Sequence, residues 1–335
     1  MIAKQSRSRG FDLIGDIHGC ALTLTRLLEQ MGYRKINGVY EHPRRQAIFI
    51  GDIIDRGPRI REALHLVYDM VRHGSAQIVM GNHEYNALCY CTRARPGSGQ
   101  QWLREHTTRH NRLIRETLEQ FDHYSREWNE FLEWFYEIPL FLEEEHFRAV
   151  HACWDGHLIE QYRQQHGKNT IDEDFLHAST VKESFAGQVM DTLLRGTDLP
   201  LPEGVAITSS DGYTRHFFRT KFWAESPKTY GDVVFQPDPL PEEVAARELN
   251  ESERRQILSY PSTELPVFVG HYWMQGKPAP LKTNVACIDY SAVKYGKLVA
   301  YRMDDERELH PDKFVMIDVE RSDRRAPDAS NRNAG

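Results

Sequence analysis

The chain has 335 residues, 40% hydrophobic and 27% charged, with a formal net charge of −7. That length buries a large core in one domain or two, and the acidic balance leaves no global field for capturing nucleic acid non-specifically. No apolar run approaches the ~20 residues needed to span a bilayer, and no apolar stretch follows the positive charges of the first ten residues, so neither a membrane span nor a signal peptide is expected. The five cysteines are scattered, with no CxxC pair. They point to reduced thiols and a cytoplasmic protein.

Residues 1–10 read as a disordered tail. A short apolar strand over 11–14 ends in Gly15-Asp16-Ile17-His18-Gly19, and Leu24, Leu27, Leu28 and Met31 then recur at helical spacing until Gly32. Val39-Tyr40 and the run 47–50 flank a polar turn and predict a hairpin. An amphipathic helix over 60–71 and a strand over 77–80 follow, the strand leading straight into Gly81-Asn82-His83-Glu84. Strand, polar turn and helix thus repeat three times, the pattern of an α/β fold whose sites lie beyond strand carboxyl ends.

A helical insertion is predicted over about 86–137, with Ile114, Leu118 and Phe121 marking one helix and Trp128, Phe131 and Phe135 the next. A strand over 147–150 ends in His151. The stretch 157–196 reads as helical, 199–204 as a loop, 205–208 and 213–217 as a hairpin around Ser210-Asp211-Gly212, and 242–259 as a helix. A fifth strand over 266–269 ends in Gly270-His271, and strands over 285–288 and 298–302 close the fold. Residues 321–335 read as a disordered tail. These boundaries give one domain over 11–320, with a covering insertion over about 157–262.

The chemistry centres on residues 46–58. An apolar strand there runs into Gly51-Asp52-Ile53-Ile54-Asp55-Arg56-Gly57, and two carboxylates with a guanidinium at one strand end are costly unless ions are held there. The simplest arrangement has Asp52 bridging two metal ions and Arg56 gripping a phosphate. The other strand ends agree: five apolar strands terminate in metal-ligand residue types, giving Asp16 and His18, Asp52, Asn82, His151 and His271. Four of the five place glycine just before the first ligand. Mixed nitrogen and oxygen donors suit Mn²⁺, Fe or Zn²⁺ better than Ca²⁺.

These motifs, with Val150-His151-Ala152 and Gly270-His271-Tyr272 following in order, resemble the calcineurin-like metallophosphoesterases, nearest the branch of bacterial diadenosine tetraphosphatases and Ser/Thr protein phosphatases. The resemblance spans residues 11–273, and Ile288-Asp289 with the turn after it resembles the family's closing hairpin. It implies a β-sandwich of two mixed sheets flanked by helices, with helical and hairpin insertions. It further implies that Asp16, His18 and Asp52 hold one divalent metal, expected to be Mn²⁺, and Asp52, Asn82, His151 and His271 a second. By the same resemblance His83 protonates the leaving oxygen, Asp55 orients its imidazole, and a bridging hydroxide attacks in line without a phosphoenzyme.

Arg56 is placed for a bidentate phosphate contact; the plain alternative for Asp55–Arg56 is a surface salt bridge. Arg219, with Arg215, lies on a hairpin resembling one in bacterial relatives and is a candidate second phosphate contact. Glu84 reads as a brace for a helix start. Trp102, Trp128 and Trp134 read as core residues rather than stacking platforms. The expected substrate is a phosphorylated small molecule, nucleotide or phosphoprotein: a dinucleoside polyphosphate first, a Ser/Thr phosphoprotein second. A non-catalytic metal- or phosphate-binding module is the alternative of another class.

Overall fold

The computed structural model describes residues 10–202, 204–208, 214–235, 240–294 and 296–324. The chain enters through β1 (Gly10–Ile14), turns into α1 (Ala21–Gln30), and forms β2 (Arg34–Ile36) and β3 (Val39–Glu41). β4 (Arg45–Phe49), α2 (Ile60–Arg72), β5 (Ala76–Ile78) and α3 (Asn82–Cys91) continue the alternation. Next come α4 (Thr108–Phe121), α5 (Ser125–Glu137), β6 (Phe141–Glu143) and β7 (Arg148–Val150). The helices α6 (Gly156–His166), α7 (Glu173–Ser179) and α8 (Phe185–Arg195) precede the short strands β8 (Asp198–Pro200), β9 (Ile207–Thr208), β10 (Thr214–Arg215) and β11 (Phe217–Thr220). After α9 (Tyr230–Val233), β12 (Val234–Phe235), α10 (Glu242–Ala245) and α11 (Glu251–Gln256), the last strands are β13 (Val267–Val269), β14 (Val285–Cys287), β15 (Lys297–Met303) and β16 (Phe314–Asp318).

Two mixed sheets form the sandwich, ordered β16-β15-β1-β4-β5 and β14-β13-β7-β6. In the first, β1 runs parallel to β4 and antiparallel to β15; in the second, β13 runs parallel to both β7 and β14. Strand residues alternate between two cores. Leu13, Ile48, Val299 and Tyr301 pack with Phe147, Ala149, Phe268 and Ala286 between the sheets. Ile14, Ala47 and Phe49 instead share a cluster with Leu24, Leu28, Leu64 and Val67 of α1 and α2. Burial on both faces is why these strands read as continuous apolar runs. Each such large side chain contributes about 1.5–3 kcal/mol by leaving water, so the strand ends are anchored in a rigid frame.

Several local expectations are corrected. The strand Val39–Glu41 pairs back on Arg34–Ile36 rather than with β4, because Asn37 and Gly38 take φ of 50° and 94°, the signs a two-residue hairpin turn requires. β4 instead enters the main sheet between β1 and β5. Residues 199–200, the start of the loop expected over 199–204, belong instead to the edge strand β8 against β11, with β12 on the other side. The hairpin expected from 205–208 and 213–217 is present as the antiparallel pair β9 and β10, and its turn at 210–212 lies outside the described residues. The helix expected over 242–259 is two short ones, since Asn250 caps a new start by accepting the Glu253 amide. Residues 321–324 are ordered: Asp323 is buried and accepts both the amide and the hydroxyl of Thr23.

Candidate metal centre

The loops after β1, β4, β5, β7 and β13 meet at Asp52. Its Oδ2 lies 3.6 Å from His18 Nε2 and 3.8 Å from His83 Nε2, and its Oδ1 lies 3.5 Å from His151 Nε2. Asn82 Oδ1 is 3.2 Å from His151 Nε2, and Asp16 Oδ2 accepts the His271 amide at 3.3 Å. All six residues expected to hold metal are thereby brought together.

The backbone bends hard to do this. Among the described residues, eight non-glycine positions hold positive φ, and five of them are His18, Asp52, Asp55, Arg56 and His271. Such conformations cost of order 1–3 kcal/mol each and persist where the surroundings enforce them. Here Glu84 does much of the enforcing. Fully buried, it accepts the amides of Gly81 and Asp52 on Oε2 at 3.1 and 2.9 Å, and that of Ile53 on Oε1 at 2.8 Å. It braces the Asp52 turn as well as the start of α3. The glycines ahead of the ligands have a steric reason: a Cβ on Gly81 collides with the Asp52 carboxylate, and one on Gly270 with the Asp16 carboxylate.

Cations fit this arrangement. Two donor groups, His18–Asp52–His83 and Asp52–His151–His271, each keep their ligand atoms within 4.8 Å of one another, and they share Asp52. His18 Nδ1 donates to the Ile54 carbonyl at 2.8 Å and His151 Nδ1 to the Ile50 carbonyl at 2.5 Å. Each ring therefore turns an Nε2 lone pair toward Asp52, where a cation relieves the repulsion. Asp16 Oδ1 and His271 Nε2 are buried atoms without a hydrogen-bond partner, which is also the condition of ligands awaiting an ion. Burial, Asp289 and Asp52 push the Asp16 carboxyl well above its ordinary range. Burial also opposes the charged form of Asp52, yet the His151 and His83 imidazoles hold it well below. Asp16 belongs to neither donor group, and His83 belongs to the first.

Beside Asp52 stands a second polar pair. His83 Nδ1 lies 2.5 Å from Asp55 Oδ2, and the other Asp55 oxygen accepts the Thr117 hydroxyl of α4. Arg56 does not pair with the buried Asp55. Its guanidinium donates to His18 Nε2 at 2.9 Å and lies over the Trp273 ring, 4.9 Å from the centroid. The surface salt-bridge alternative is therefore wrong. Arg219 donates to the His271 carbonyl at 3.4 Å and shares a cavity with Arg56, while the Arg215 side chain lies outside the described residues. Trp128 and Trp134 are core, and Trp102 stacks on His106 at 4.8 Å with Arg93 on its ring.

Two residues at the site are not among the site residues expected from sequence, although Asp289 belongs to the stretch that resembles the closing hairpin. Asp289 is 1% exposed, accepts the Ser291 amide at 2.8 Å, and leaves Oδ2 unpartnered; burial pushes its carboxyl up to about 6. It follows an apolar strand, the same signal that pointed to the six candidate ligands. Thr117 carried no signal, being one hydroxyl in the middle of an amphipathic helix.

A sandwich with five strand-end loops sharing one aspartate defines a two-metal phosphoesterase class of site. The chain matches the calcineurin-like phosphoesterase model over residues 11–271 and belongs to that family. The asymmetrical bis(5'-nucleosyl)-tetraphosphatase PrpE of Oceanobacillus iheyensis is 34% identical over 151 residues, which are 44% of this chain and 58% of that protein. Its counterpart in Halalkalibacterium halodurans is 46% identical over 74 residues, 22% of this chain and 30% of that one. The chain thus spans less than two thirds of either relative. A solved protein serine/threonine phosphatase from Saccharomyces cerevisiae aligns over 97% of this chain and 83% of its own, at 15% identity and a TM-score of 0.48. Among the described residues no helix is long and apolar enough to cross a membrane.

Proposed function

We propose that this chain is a cytoplasmic, metal-dependent hydrolase of phosphoric anhydrides or esters, acting on a dinucleoside polyphosphate of the bis(5'-nucleosyl)-tetraphosphate type. The observation that carries the reading is Asp52, shared by two donor groups and flanked by the Asp55–His83 pair. The substrate class is supported by the similarity to the PrpE tetraphosphatases.

Asp16, His18 and Asp52 hold one divalent cation and Asp52, Asn82, His151 and His271 the other, with Mn²⁺ expected and Fe or Zn²⁺ as alternatives. When bound, such ions activate the attacking water and draw charge off the phosphoryl oxygens. Arg56, steadied by Trp273, turns its forked donors to the phosphoryl group under attack, and Arg219 approaches it from the His271 side. Asp55 fixes the His83 ring through Nδ1, so the proton at Nε2 is aimed at the leaving oxygen. Glu84 holds the loops that carry Asp52 and Asn82 without touching substrate.

A Mn²⁺-supplemented comparison of diadenosine tetraphosphate, phosphopeptides, p-nitrophenyl phosphate and its bis-ester tests this. The dinucleotide should have the highest kcat/KM. Preference for phosphopeptides replaces the substrate reading with a protein phosphatase. Absence of turnover with metal bound leaves a binding module and overturns the proposal.

A further inference from the structure

The cavity that opens over the metal centre has a volume of about 900 Å³ and extends well past the scissile position, along α3 and under α4 and α8. Beyond Arg56 and Arg219 it is lined by five more cations, Arg104, Arg109, Arg112, Lys182 and Arg195. In a chain of net charge −7 that concentration of cations in one cavity is a local feature of the fold, not a reflection of composition.

The cations are organised around Asn86. Its Oδ1 accepts Arg104 Nη1 at 3.0 Å and Arg195 Nη2 at 2.8 Å, so two guanidinium groups converge on one neutral oxygen. Arg195 is also held by Asp191 and lies over the Tyr85 ring, 5.2 Å from its centroid. Arg104 has no carboxylate partner among the described residues, and burial with Arg195 and Arg109 nearby pushes it below the ordinary arginine value. Each guanidinium has five N–H donors in a planar fork, and Asn86 uses one of each. Two like charges drawn together with donors to spare make a site that an anion completes.

Its position is fixed by the helix. Asn86 is four residues after Asn82 and three after His83 on α3, so it stands about one turn, ~5.4 Å, along the same face from the reaction centre. We propose that Arg104 and Arg195, gathered by Asn86, form a second phosphate subsite that holds a phosphoryl group other than the one being cleaved. The enzyme then selects substrates in which further phosphoryl groups follow the scissile one, as in a linear oligophosphate. This rests on the phosphohydrolase reading above and extends it from the reaction centre to the substrate's chain.

The test uses p-nitrophenyl phosphate as reporter and inorganic probes as competitors, with free Mn²⁺ held constant. Ki is measured for orthophosphate and for tripolyphosphate in the wild type, Arg104→Gln and Arg195→Gln. Being a ratio of constants, the preference is independent of the fraction of each variant that folds. Tripolyphosphate should bind at least about tenfold more tightly than orthophosphate to the wild type, and either substitution should remove most of that preference, a loss on the scale of one charge-assisted contact. An Arg104→Lys variant should restore part of it. A preference that survives both glutamine substitutions, or a wild type that has none, overturns the subsite. Because the reporter is a simple monoester, a wild type that ignores diadenosine tetraphosphate yet hydrolyses the reporter refutes the dinucleotide reading alone. Loss of all hydrolysis removes both.

Discussion

Replacing Glu84 by Gln is the sharpest probe of how the Asp52 turn is held. The carboxylate accepts four backbone amides, those of Gly81 and Asp52 on Oε2 and those of Ile53 and Ile54 on Oε1, at 2.8–3.4 Å and out of contact with water. A carboxamide of the same shape keeps one oxygen. With that oxygen toward Gly81 and Asp52, its NH₂ meets the Ile53 amide donor to donor, and leaving that buried amide unpaired costs about 1–3 kcal/mol. The two remaining bonds lose their charge assistance, about 1 kcal/mol each. The sum is about 3–5 kcal/mol, a large part of the roughly 5–15 kcal/mol that holds a domain folded. Burial and the nearby Asp52 raise the Glu84 carboxyl, but four N–H donors aimed at it favour the charged form. Urea unfolding of both proteins with metal chelated isolates the effect from ion binding. A loss below about 1 kcal/mol would refute the brace.

The remaining predictions concern the chemistry and the acid side of stability. His83→Asn should bind metal as the wild type does and lose about 100- to 10,000-fold in turnover on poor leaving groups, with a much smaller loss on p-nitrophenyl phosphate. Equal losses on both would remove His83 as the proton donor. The ionised form of Glu143, an exposed residue at the end of β6, is opposed by partial desolvation, but Arg148 and Arg163 hold its carboxyl below the ordinary value. A depressed carboxylate stabilises the fold above its unfolded value, and the contribution is lost as pH falls through the lowered one. Glu143→Gln should therefore melt lower than the wild type at pH 7, and the two should converge below about pH 4. A gap in Tm that widens toward acid would contradict the assignment.

Much of the site was legible because its ligands sit where burial stops. An apolar strand, then a carboxylate, amide or imidazole, is a pattern that sequence carries locally; with a glycine between them it pointed to Asp16, His18, Asp52, Asn82 and His271, and without one, after Val150, to His151. Pairing was harder to read. Val39–Glu41 turns back on Arg34–Ile36 through two positive-φ residues, whereas the polar stretch before β4 looked equally like a turn. Long-range support was invisible: Thr117 reaches Asp55 across 62 positions, and Arg195 reaches Asn86 across 109. A hydroxyl or guanidinium has no local signature of the partner it will meet. Asp289 was readable by the same rule as the ligands.

One aspartate, Asp52, is proposed to serve two metal ions. Metal content after Mn²⁺ loading and desalting measures it directly in the wild type and Asp52→Asn. The wild type should retain about two ions per chain, and Asp52→Asn should lose both together, while an Asp16→Asn control keeps the ion held by Asn82, His151 and His271. An Asp52→Asn protein that still retains one tightly held ion would contradict the shared ligand.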